Sequence, residues 1–297
     1  MSVSTKAEAE IKRNPHPDFK SVERSRPDWD ASSNFRFTKT ADPSWKPGVG
    51  ANQLSSGAAS QRHVPIDPYE DGRPAGLNYK LLISSIVPRP IGFVSTRSGT
   101  EQGEETLNLA PFSYFNMVNH DPPMFCLGIA ASIAKPKDTL SNLMATKECT
   151  VNIISEHFIE AANSTSVDAP PGRSEWDVSG LTPVYDTTTV KAPRVGEAIF
   201  SVECRLESVR EFDSKSTPGK KSGCLVVLEG TKFWAREDAV NEDRSLIDPD
   251  VLRPISRLGG ITYGRTIEGT ELPRPTWEHD IGGVDGYKKL KQADGNL

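Results

Sequence analysis

The chain has 297 residues, 36% of them hydrophobic, and a formal net charge of −5, which allows one large domain or two ordinary ones. The negative charge argues against general nucleic-acid binding, which needs a basic face that displaces counterions from phosphates. No apolar run approaches the roughly 20 residues that span a bilayer, and the N-terminus lacks the apolar stretch of a secretory signal. We therefore expect a cytoplasmic protein that binds neither nucleic acid nor membrane.

The beginning of the chain differs in composition from the rest. It is rich in Lys, Asp, Ser, Pro and Gly and shows no sustained hydrophobic period. We therefore divide the chain into a polar N-terminal arm, residues 1–63, and a folded domain, residues 64–297. The second half of the arm contains scattered aromatic residues, Trp29, Phe35, Phe37 and Trp45. They leave two interpretations open, an extended segment attached to the domain surface or a solvated, disordered chain.

Beyond the arm, apolar runs of strand length are separated by short helical patterns. Three runs predict strands, namely Pro90–Thr96, Met124–Ala130 and Cys149–Ser155. A short helix is predicted between the last two runs, because Leu140, Leu143 and Met144 fall at helical spacing. Glu156–Thr165 predicts a second helix.

One predicted hairpin dominates the rest of the domain. Ala198–Phe212 alternates over much of its length, and a Gly/Lys/Ser turn leads into a second apolar run that begins at Cys224. Residues 252–266, rich in Gly and Arg, predict a loop. Strands dominate and no regular βαβ alternation is present, which favours an antiparallel barrel, whose closure removes sheet edges, over a parallel sheet.

The cysteines and histidines form no metal-binding pattern. The cysteines lack a C-x-x-C pair and lie in apolar, strand-like runs, which predicts small buried side chains at Cys126, Cys149, Cys204 and Cys224. No H-x-x-x-H or H-E-x-x-H spacing is present, so we expect no zinc site. The pair His120–Asp121 either relays a proton or stabilises a turn.

The segment KPKDTL lies at the start of the first predicted helix. We expect Asp138 to cap this helix by accepting from its free backbone N–H groups. A helix N-terminus favours anions, and Lys137 and the Thr139 hydroxyl add donors, so the segment predicts a phosphate site. The alternative is an ordinary capped surface helix with solvated lysines.

Two further segments combine polar residues with prolines at strand ends. Pro88 and Pro90 fix the backbone around Arg89, whose guanidinium can then donate to phosphate or carbonyl oxygens. The alternative for Arg89 is a surface ion pair. In NLAPFSYFN, residues 108–116, Pro111 removes one ladder donor, which predicts a segment at the sheet border that contacts the polar edge of a flat heteroaromatic ring. The alternative there is a bulged strand with a loop.

The ordered set IVPRPIGFVST, NLAPFSYFN, DPPMF, KDTLSNL and VNII, followed by EWDVSGL and a late RLGGITY, resembles the flavin reductase-like proteins of the FMN-binding split-barrel superfamily. The resemblance covers about Ile83 to Tyr263. It implies an all-β dominated fold with short peripheral helices, a Greek-key split barrel, usually a homodimer with FMN near the subunit interface. The extended N-terminal arm has no counterpart in it.

Carried over by position, the resemblance implies a set of cofactor-binding residues. Those expected along the flavin or its phosphate tail are Arg89, Pro90, Ser95 and Thr96. Those expected at the isoalloxazine edge are Asn108, Leu109, Ala110 and Ser113. Those expected at the phosphate are Lys137 and Thr139, with Asp138 between them at the helix start. Those expected to border the pocket are Arg257 and Tyr263.

The same resemblance implies an FMN-dependent oxidoreductase that transfers hydride from NAD(P)H to FMN and on to an unidentified acceptor, a small molecule or a monooxygenase partner. No catalytic side chain is expected, because the cofactor carries the chemistry. No Rossmann fingerprint or G-x-S-x-G elbow is present. Two alternatives stay open: a split-barrel flavin oxidase or oxygenase acting on an organic substrate, and a non-catalytic flavin- or haem-binding protein.

Overall fold

The computed structural model describes residues 18–52, 61–99, 106–170 and 172–294, with side chains described to residue 291. The described residues fall into two compact units. One contains the described parts of residues 1–31 and 68–266, and the other those of residues 32–67 and 267–297. The predicted arm therefore contributes residues to both units, and the predicted boundary after residue 63 stays a prediction.

Most strands of the described residues are short, and one hairpin is long. The strands are β1 (Arg36–Thr38), β2 (Gly92–Arg97), β3 (Leu107–Phe112), β4 (Phe115–His120), β5 (Pro123–Ile129), β6 (Glu148–Ile153), β7 (Pro183–Val184), β8 (Arg194–Val195), β9 (Phe200–Asp213), β10 (Lys221–Ala235), β11 (Ile255–Arg257), β12 (Tyr263–Arg265) and β13 (Glu268–Thr270). The α-helices are α1 (Phe19–Arg24), α2 (Ala75–Ser85), α3 (Asp138–Thr146), α4 (Ile159–Ser164), α5 (Glu175–Ser179), α6 (Pro249–Leu252) and α7 (Gly283–Asp294). A 3₁₀ turn, Glu156–Phe158, precedes α4, and a π-helix, Trp277–Ile281, precedes α7.

The main sheet is antiparallel, and its two edge strands come together at one corner. Its antiparallel strands follow the order β3-β2-β6-β9-β10-β5-β4. The edge strands β3 and β4 are separated in the chain only by Ser113 and Tyr114. Three peptide units extend at most about 11 Å, so the two edges must approach each other and the sheet curls into a barrel. The Gly128 N–H donates to the Tyr114 carbonyl at 2.7 Å, which links β5 to this turn. The predicted antiparallel barrel is confirmed.

Two clusters of buried apolar side chains form the core of this unit. The first fills the barrel and includes Leu127 and Leu228 from the sheet with Leu140 and Leu143 from α3. The second includes residues of β2, α4 and α5, among them Phe93, Ala162 and Trp176. Burying each large apolar side chain contributes on the order of 1.5–3 kcal/mol. Three of the cysteines lie in the first cluster, as predicted for small buried side chains, namely Cys149, Cys204 and Cys224. The prediction is wrong for Cys126, which is only partly buried.

The structure confirms most of the predicted elements and corrects two predictions. The predicted strands, helices and hairpin correspond to β2, β5 and β6, to α3 and α4 with its 3₁₀ turn, and to β9 and β10. The loop predicted over residues 252–266 is wrong in part, because β11 and β12 pair there. Capping by Asp138 is also wrong. Asp138 is the first residue of α3, Lys137 occupies the cap position, and no side chain of the described residues caps the helix.

The second unit is small and contains most of the arm's aromatic residues. β1 pairs in parallel with β13, and Arg36 donates to the Glu268 carboxylate from Nε and Nη2 at 3.0 and 2.8 Å. The rings of Phe35 and Phe37 meet edge to face at 5.1 Å, and Trp45 donates to a backbone carbonyl at 2.7 Å. Across both units, none of the helices that the structure describes has the length and apolar character needed to cross a membrane.

Candidate functional site

A cavity of about 700 Å³ lies in the first unit beside the start of α3. Strand β3 with the turn that follows it, the start of α3, the loop after α4, the start of α5 and the β11–β12 hairpin all contribute walls. The cavity brings together eight residues of the predicted site, Asn108, Ala110, Ser113, Lys137, Asp138, Thr139, Arg257 and Tyr263. Other lining residues are Tyr79, Ile91, Pro111, Phe112, Pro136, Thr165, Ser166, Val167, Asp168, Ala169 and Glu175.

The start of α3 presents polar groups to one corner of this cavity. Lys137 and Asp138 are exposed, whereas Thr139 is buried. Since no described side chain caps α3, the first backbone N–H groups of the helix keep their hydrogen-bonding capacity. Together with the Lys137 ammonium, these groups suit an anion at this corner. The Asp138 carboxylate opposes an anion, which makes the positive charge of Lys137 more important.

Asn108 connects three elements beneath the cavity. Its Nδ2 donates to the Oγ1 of Thr139 at 2.9 Å and to the Oγ1 of Thr96 at 3.3 Å. The Nδ2 of Asn142 donates to the same Thr96 oxygen at 3.0 Å. All four side chains are buried, so this network fixes the start of α3 against β2 and β3.

Strand β3 borders the cavity at an edge of the sheet. Pro111, which has no N–H, lies on this edge strand, so the predicted position at the sheet border is confirmed. Ahead of it, the Leu107 carbonyl accepts from Ser174 Oγ at 2.6 Å and the Leu109 N–H donates to Glu175 at 3.2 Å. The start of α5 therefore covers the first half of β3, and the second half lines the cavity.

Glu175 is a buried carboxyl in the cavity wall that the sequence patterns did not mark as a site residue. Burial raises its pKa, the backbone N–H groups of Glu175 and Leu109 lower it, and the charge of Asp138 raises it further, so that the net shift is upward. The loop 165–169 and Glu175 both fall in or next to the stretch VDAPPGRSEWDVSG. The composition of this stretch predicts only turns. The signal that could have indicated a site is EWDVSGL, one of the motifs that carry the family resemblance.

The β11–β12 hairpin supplies an arginine stacked on a tyrosine. The Arg257 Cζ lies 4.3 Å from the centre of the Tyr263 ring, and the two residues pair across the hairpin. The Tyr263 hydroxyl donates to Asn163 Oδ1 at 2.8 Å. Burial raises the pKa of Tyr263, and the nearby Arg257 charge offsets part of that effect.

The structure does not bring every predicted residue to the cavity surface. Those that do not line it are Arg89, Pro90, Ser95, Thr96 and Leu109. The buried Arg89 guanidinium donates to the carbonyls of Ile83, Ile86 and Leu258 at 2.6, 2.7 and 3.0 Å. It therefore ties the end of α2 to the β11–β12 hairpin. The alternative of a surface ion pair for Arg89 is wrong, and contact of these residues with a cofactor stays a prediction.

The chain is similar to known proteins over most of its length. Residues 84–252 match the family model described as the flavin reductase like domain. Nitrilotriacetate monooxygenase component B from Bacillus cereus is 33% identical, with a TM-score of 0.64 over 71% of this chain and 100% of that chain. The 2-nitrobenzoate 2-nitroreductase of Pseudomonas fluorescens is 30% identical, with a TM-score of 0.60 over 73% and 98%. A protein with a split barrel domain from Shewanella frigidimarina is 21% identical, with a TM-score of 0.57 over 73% and 100%.

The fold and the site together define a split-barrel, flavin-related oxidoreductase. The family match covers more than half of the chain, and the chain belongs to the flavin reductase like domain family. The predicted all-β dominated split barrel with short peripheral helices is confirmed.

The residues that line the cavity fit a flavin cofactor that carries a phosphate. Its volume of about 700 Å³ is in the usual range for a cofactor site. An uncapped helix start with Lys137 suits a phosphate. Pro111 and Phe112 at the half-buried end of β3, and Ser113 directly after it, offer both apolar surface and polar groups to a ring.

Proposed function

We propose that the protein is an FMN-dependent oxidoreductase that takes hydride from NAD(P)H and passes electrons to an acceptor. One observation carries this proposal: the start of α3, with Lys137 and Thr139, shares a single cavity with the polar end of β3. The first segment suits a phosphate and the second suits a ring, and FMN carries these two groups at its opposite ends. We favour FMN over FAD because, among the described residues, this cavity contains one such helix start.

The phosphate of FMN would be held at the start of α3. Lys137 contributes charge, and the first N–H groups of the helix contribute donors. The Thr139 oxygen already accepts from Asn108, so its hydroxyl proton is free to donate to a phosphate oxygen. The buried network around Asn108 would hold this hydroxyl in place before the ligand arrives, which lowers the entropy lost on binding.

The ring would lie along the end of β3. Asn108, Ala110 and Ser113 would contact its polar edge, with Leu109 behind them in the core. Arg257 and Tyr263 would border the pocket on the hairpin side. When bound, FMN supplies the hydride chemistry. The chain's residues bind and orient the ring and exclude water from it, so no side-chain nucleophile is needed.

The oligomeric state and the acceptor are part of the proposal. Strand β4 exposes 61% of Met117 and 57% of Val118, and the adjacent Tyr114 is 45% exposed. An apolar edge strand of this kind favours pairing with another chain, and we propose a homodimer. The similarity to a monooxygenase component B supports a monooxygenase partner as the acceptor. We propose that the protein works in the cytoplasm.

The test is the visible absorption spectrum of the purified protein, before and after NADH or NADPH is added without oxygen. We expect bands near ~450 nm that bleach on addition of the nicotinamide, because the bound flavin is reduced. A colourless protein that neither binds added FMN nor catalyses its reduction would defeat the proposal. Light scattering of the eluting protein would test the homodimer separately.

A second candidate is direct reduction of a nitroaromatic acid. It is supported by the similarity to a 2-nitrobenzoate 2-nitroreductase, and it requires the same cavity. Oxidation of NADPH that depends on 2-nitrobenzoate, without free flavin or a partner protein, would favour this candidate. NADPH oxidation that is stimulated by free FMN and not by 2-nitrobenzoate would favour the first candidate, the FMN-dependent reductase.

A further inference from the structure

The arginines around the β11–β12 hairpin differ in their partners. Arg89 donates to three backbone carbonyls. Arg253 and Arg265 both donate to the Glu156 carboxylate, at distances between 2.7 and 3.1 Å. Arg257, in contrast, has no carboxylate within salt-bridge distance in the part of the chain that the structure describes. It is the arginine of this group that lines the cavity.

The position of the Arg257 guanidinium is fixed before any ligand binds. It stacks on the Tyr263 ring at 4.3 Å, and its Nη2 donates to the Gly260 carbonyl at 2.8 Å. The Tyr263 ring is held in turn by the bond from its hydroxyl to Asn163. A planar donor that is already oriented loses little entropy when it binds an anion.

Among the described residues, the Arg257 side chain donates to one acceptor, the Gly260 carbonyl. A guanidinium carries five N–H groups, and the Nη1 of Arg257 is buried without a hydrogen-bond partner among the described residues. Leaving such a donor unpaired is unfavourable, and a desolvated cation favours a nearby anion. A phosphate or carboxylate oxygen therefore suits the Arg257 guanidinium as a partner.

This anion is separate from the phosphate at Lys137. Helix α3, which begins after Lys137, packs on β2, β3 and β6. Arg257 belongs to a different wall, because its N–H and carbonyl pair with the backbone of Arg89 at 2.9 and 3.0 Å. FMN carries one phosphate group, for which we propose the start of α3, so a second anion-binding group on another wall suits a second anionic molecule.

We propose that Arg257 binds the pyrophosphate of the dihydronicotinamide donor and thereby positions NADH or NADPH over the cavity. The inference rests on the proposed function and adds a donor subsite to it. Arg257 acts as a binding residue, since it holds a part of the donor remote from the transferred hydride. The stacked Tyr263 would orient it.

The test compares Arg257→Gln with Lys137→Gln. FMN affinity is measured by fluorescence titration, and NAD⁺ affinity by titration of the FMN-loaded protein. Bleaching rates are measured with NADH, with NADPH and with 1-benzyl-1,4-dihydronicotinamide, a hydride donor that has no phosphate. For Arg257→Gln we expect the NADH concentration at half-maximal rate and the NAD⁺ dissociation constant to rise about tenfold to a hundredfold. Its FMN affinity should fall less than its NADH affinity and less than the FMN affinity of Lys137→Gln, and its rate with the benzyl compound should fall less than its rate with NADH.

The control variants separate charge from geometry. Arg257→Lys keeps the charge but loses the two-pronged donor, so it should recover only part of the NADH affinity. Lys137→Gln should show the opposite pattern to Arg257→Gln, with weaker FMN binding and an unchanged NADH dependence once the protein is saturated with FMN.

Several outcomes would overturn the inference. If Arg257→Gln weakens FMN as much as Lys137→Gln does, Arg257 belongs to the flavin phosphate site. If it slows NADH and the benzyl compound equally, it acts on the geometry of the ring. If it changes only the dependence on a carboxylated acceptor such as 2-nitrobenzoate, the anion is the acceptor's. A wild-type protein that binds no FMN would defeat the proposed function itself, and that result is visible in the first titration.

Discussion

The Nδ2 of Asn108 lies 2.9 Å from the Oγ1 of Thr139, so a side chain on strand β3 fixes a hydroxyl in the first turn of α3. Both residues are buried and both line the cavity. Because the amide donates to this oxygen, the hydroxyl proton is directed elsewhere. The sheet and the helix are thus coupled at the place where we propose that the flavin binds.

Replacement of Asn108 by Ala should weaken FMN binding by about twofold to tenfold. The variant loses the bond that orients Thr139, and a hydrogen bond of this kind contributes roughly 0.5–1.5 kcal/mol. Titration of the protein with FMN measures the change. Asn119→Ala is a matched control, because Asn119 donates to the Pro122 carbonyl on exposed surface. Equal affinities of Asn108→Ala and wild type would remove this network from the cofactor site.

Replacement of Lys137 by Ala should weaken FMN binding by ~1.5–3 kcal/mol, the usual range for a hydrogen bond to a charged group. The effect should shrink at high salt, since Lys137 is exposed and its charge is screened. Lys135→Ala is the matched control. Lys135 is a similarly exposed lysine two positions earlier that does not line the cavity. A similar loss in both variants would indicate a general charge effect.

Much of the barrel could be predicted from the sequence because its strands alternate or form short apolar runs. The start of α3 could be predicted as well, since helical spacing and KPKDTL fall at the same place. Helix α2 could not. It buries only Ile83, so the sequence shows none of the apolar stripe that marks a surface helix.

The remaining parts of the site depend on contacts that are distant in sequence. Glu175 lines the cavity because α5 packs on β3, more than sixty positions earlier in the chain. Arg89 follows a proline-fixed backbone as predicted, yet its guanidinium binds the carbonyl of Leu258, 169 positions away. No local sequence pattern encodes the contact of Glu175 with β3 or that of Arg89 with Leu258. The sequence therefore shows which residue is present but not where its side chain points.

Replacement of Gly92 by Ala should destabilise the barrel by roughly 1–3 kcal/mol, the usual cost of overpacking a core. A Cβ atom at Gly92 would lie 2.8 Å from the Phe115 ring, and Phe115 is buried at the start of β4. Urea unfolding measures the loss. Gly99→Ala is the control, because there the nearest atom to the new Cβ would be the Ala145 Cβ, at 3.9 Å. Equal stability of the two variants would show that Phe115 can move aside without cost.

Glu175 should make the stability of the protein fall as pH rises. Burial and the charge of Asp138 raise its pKa above the ordinary glutamate range. Between the ordinary and the raised pKa, the folded protein therefore binds more protons than the unfolded chain, and the free energy of unfolding decreases with increasing pH. Above the raised pKa the penalty is complete and constant.

Replacement of Glu175 by Gln should remove this penalty. The Gln oxygen can still accept from the Leu109 N–H, so the variant should be more stable than wild type at pH 7, with the difference closing as pH falls below the ordinary glutamate pKa.

Replacement of Glu203 by Gln should have the opposite effect and destabilise the protein at pH 7. Burial acts to raise the pKa of Glu203, but hydrogen bonds from Thr189 and Trp234 outweigh it and lower the pKa. The stability that Glu203 contributes is therefore present above the ordinary glutamate pKa and is lost as pH falls through the lowered value. At pH 7 its loss should cost about 1–3 kcal/mol. Urea unfolding of both variants at pH 7 and near pH 4.5 measures the two signs, and a destabilised Glu175→Gln at pH 7 would show that the carboxylate is a required partner in the cavity wall.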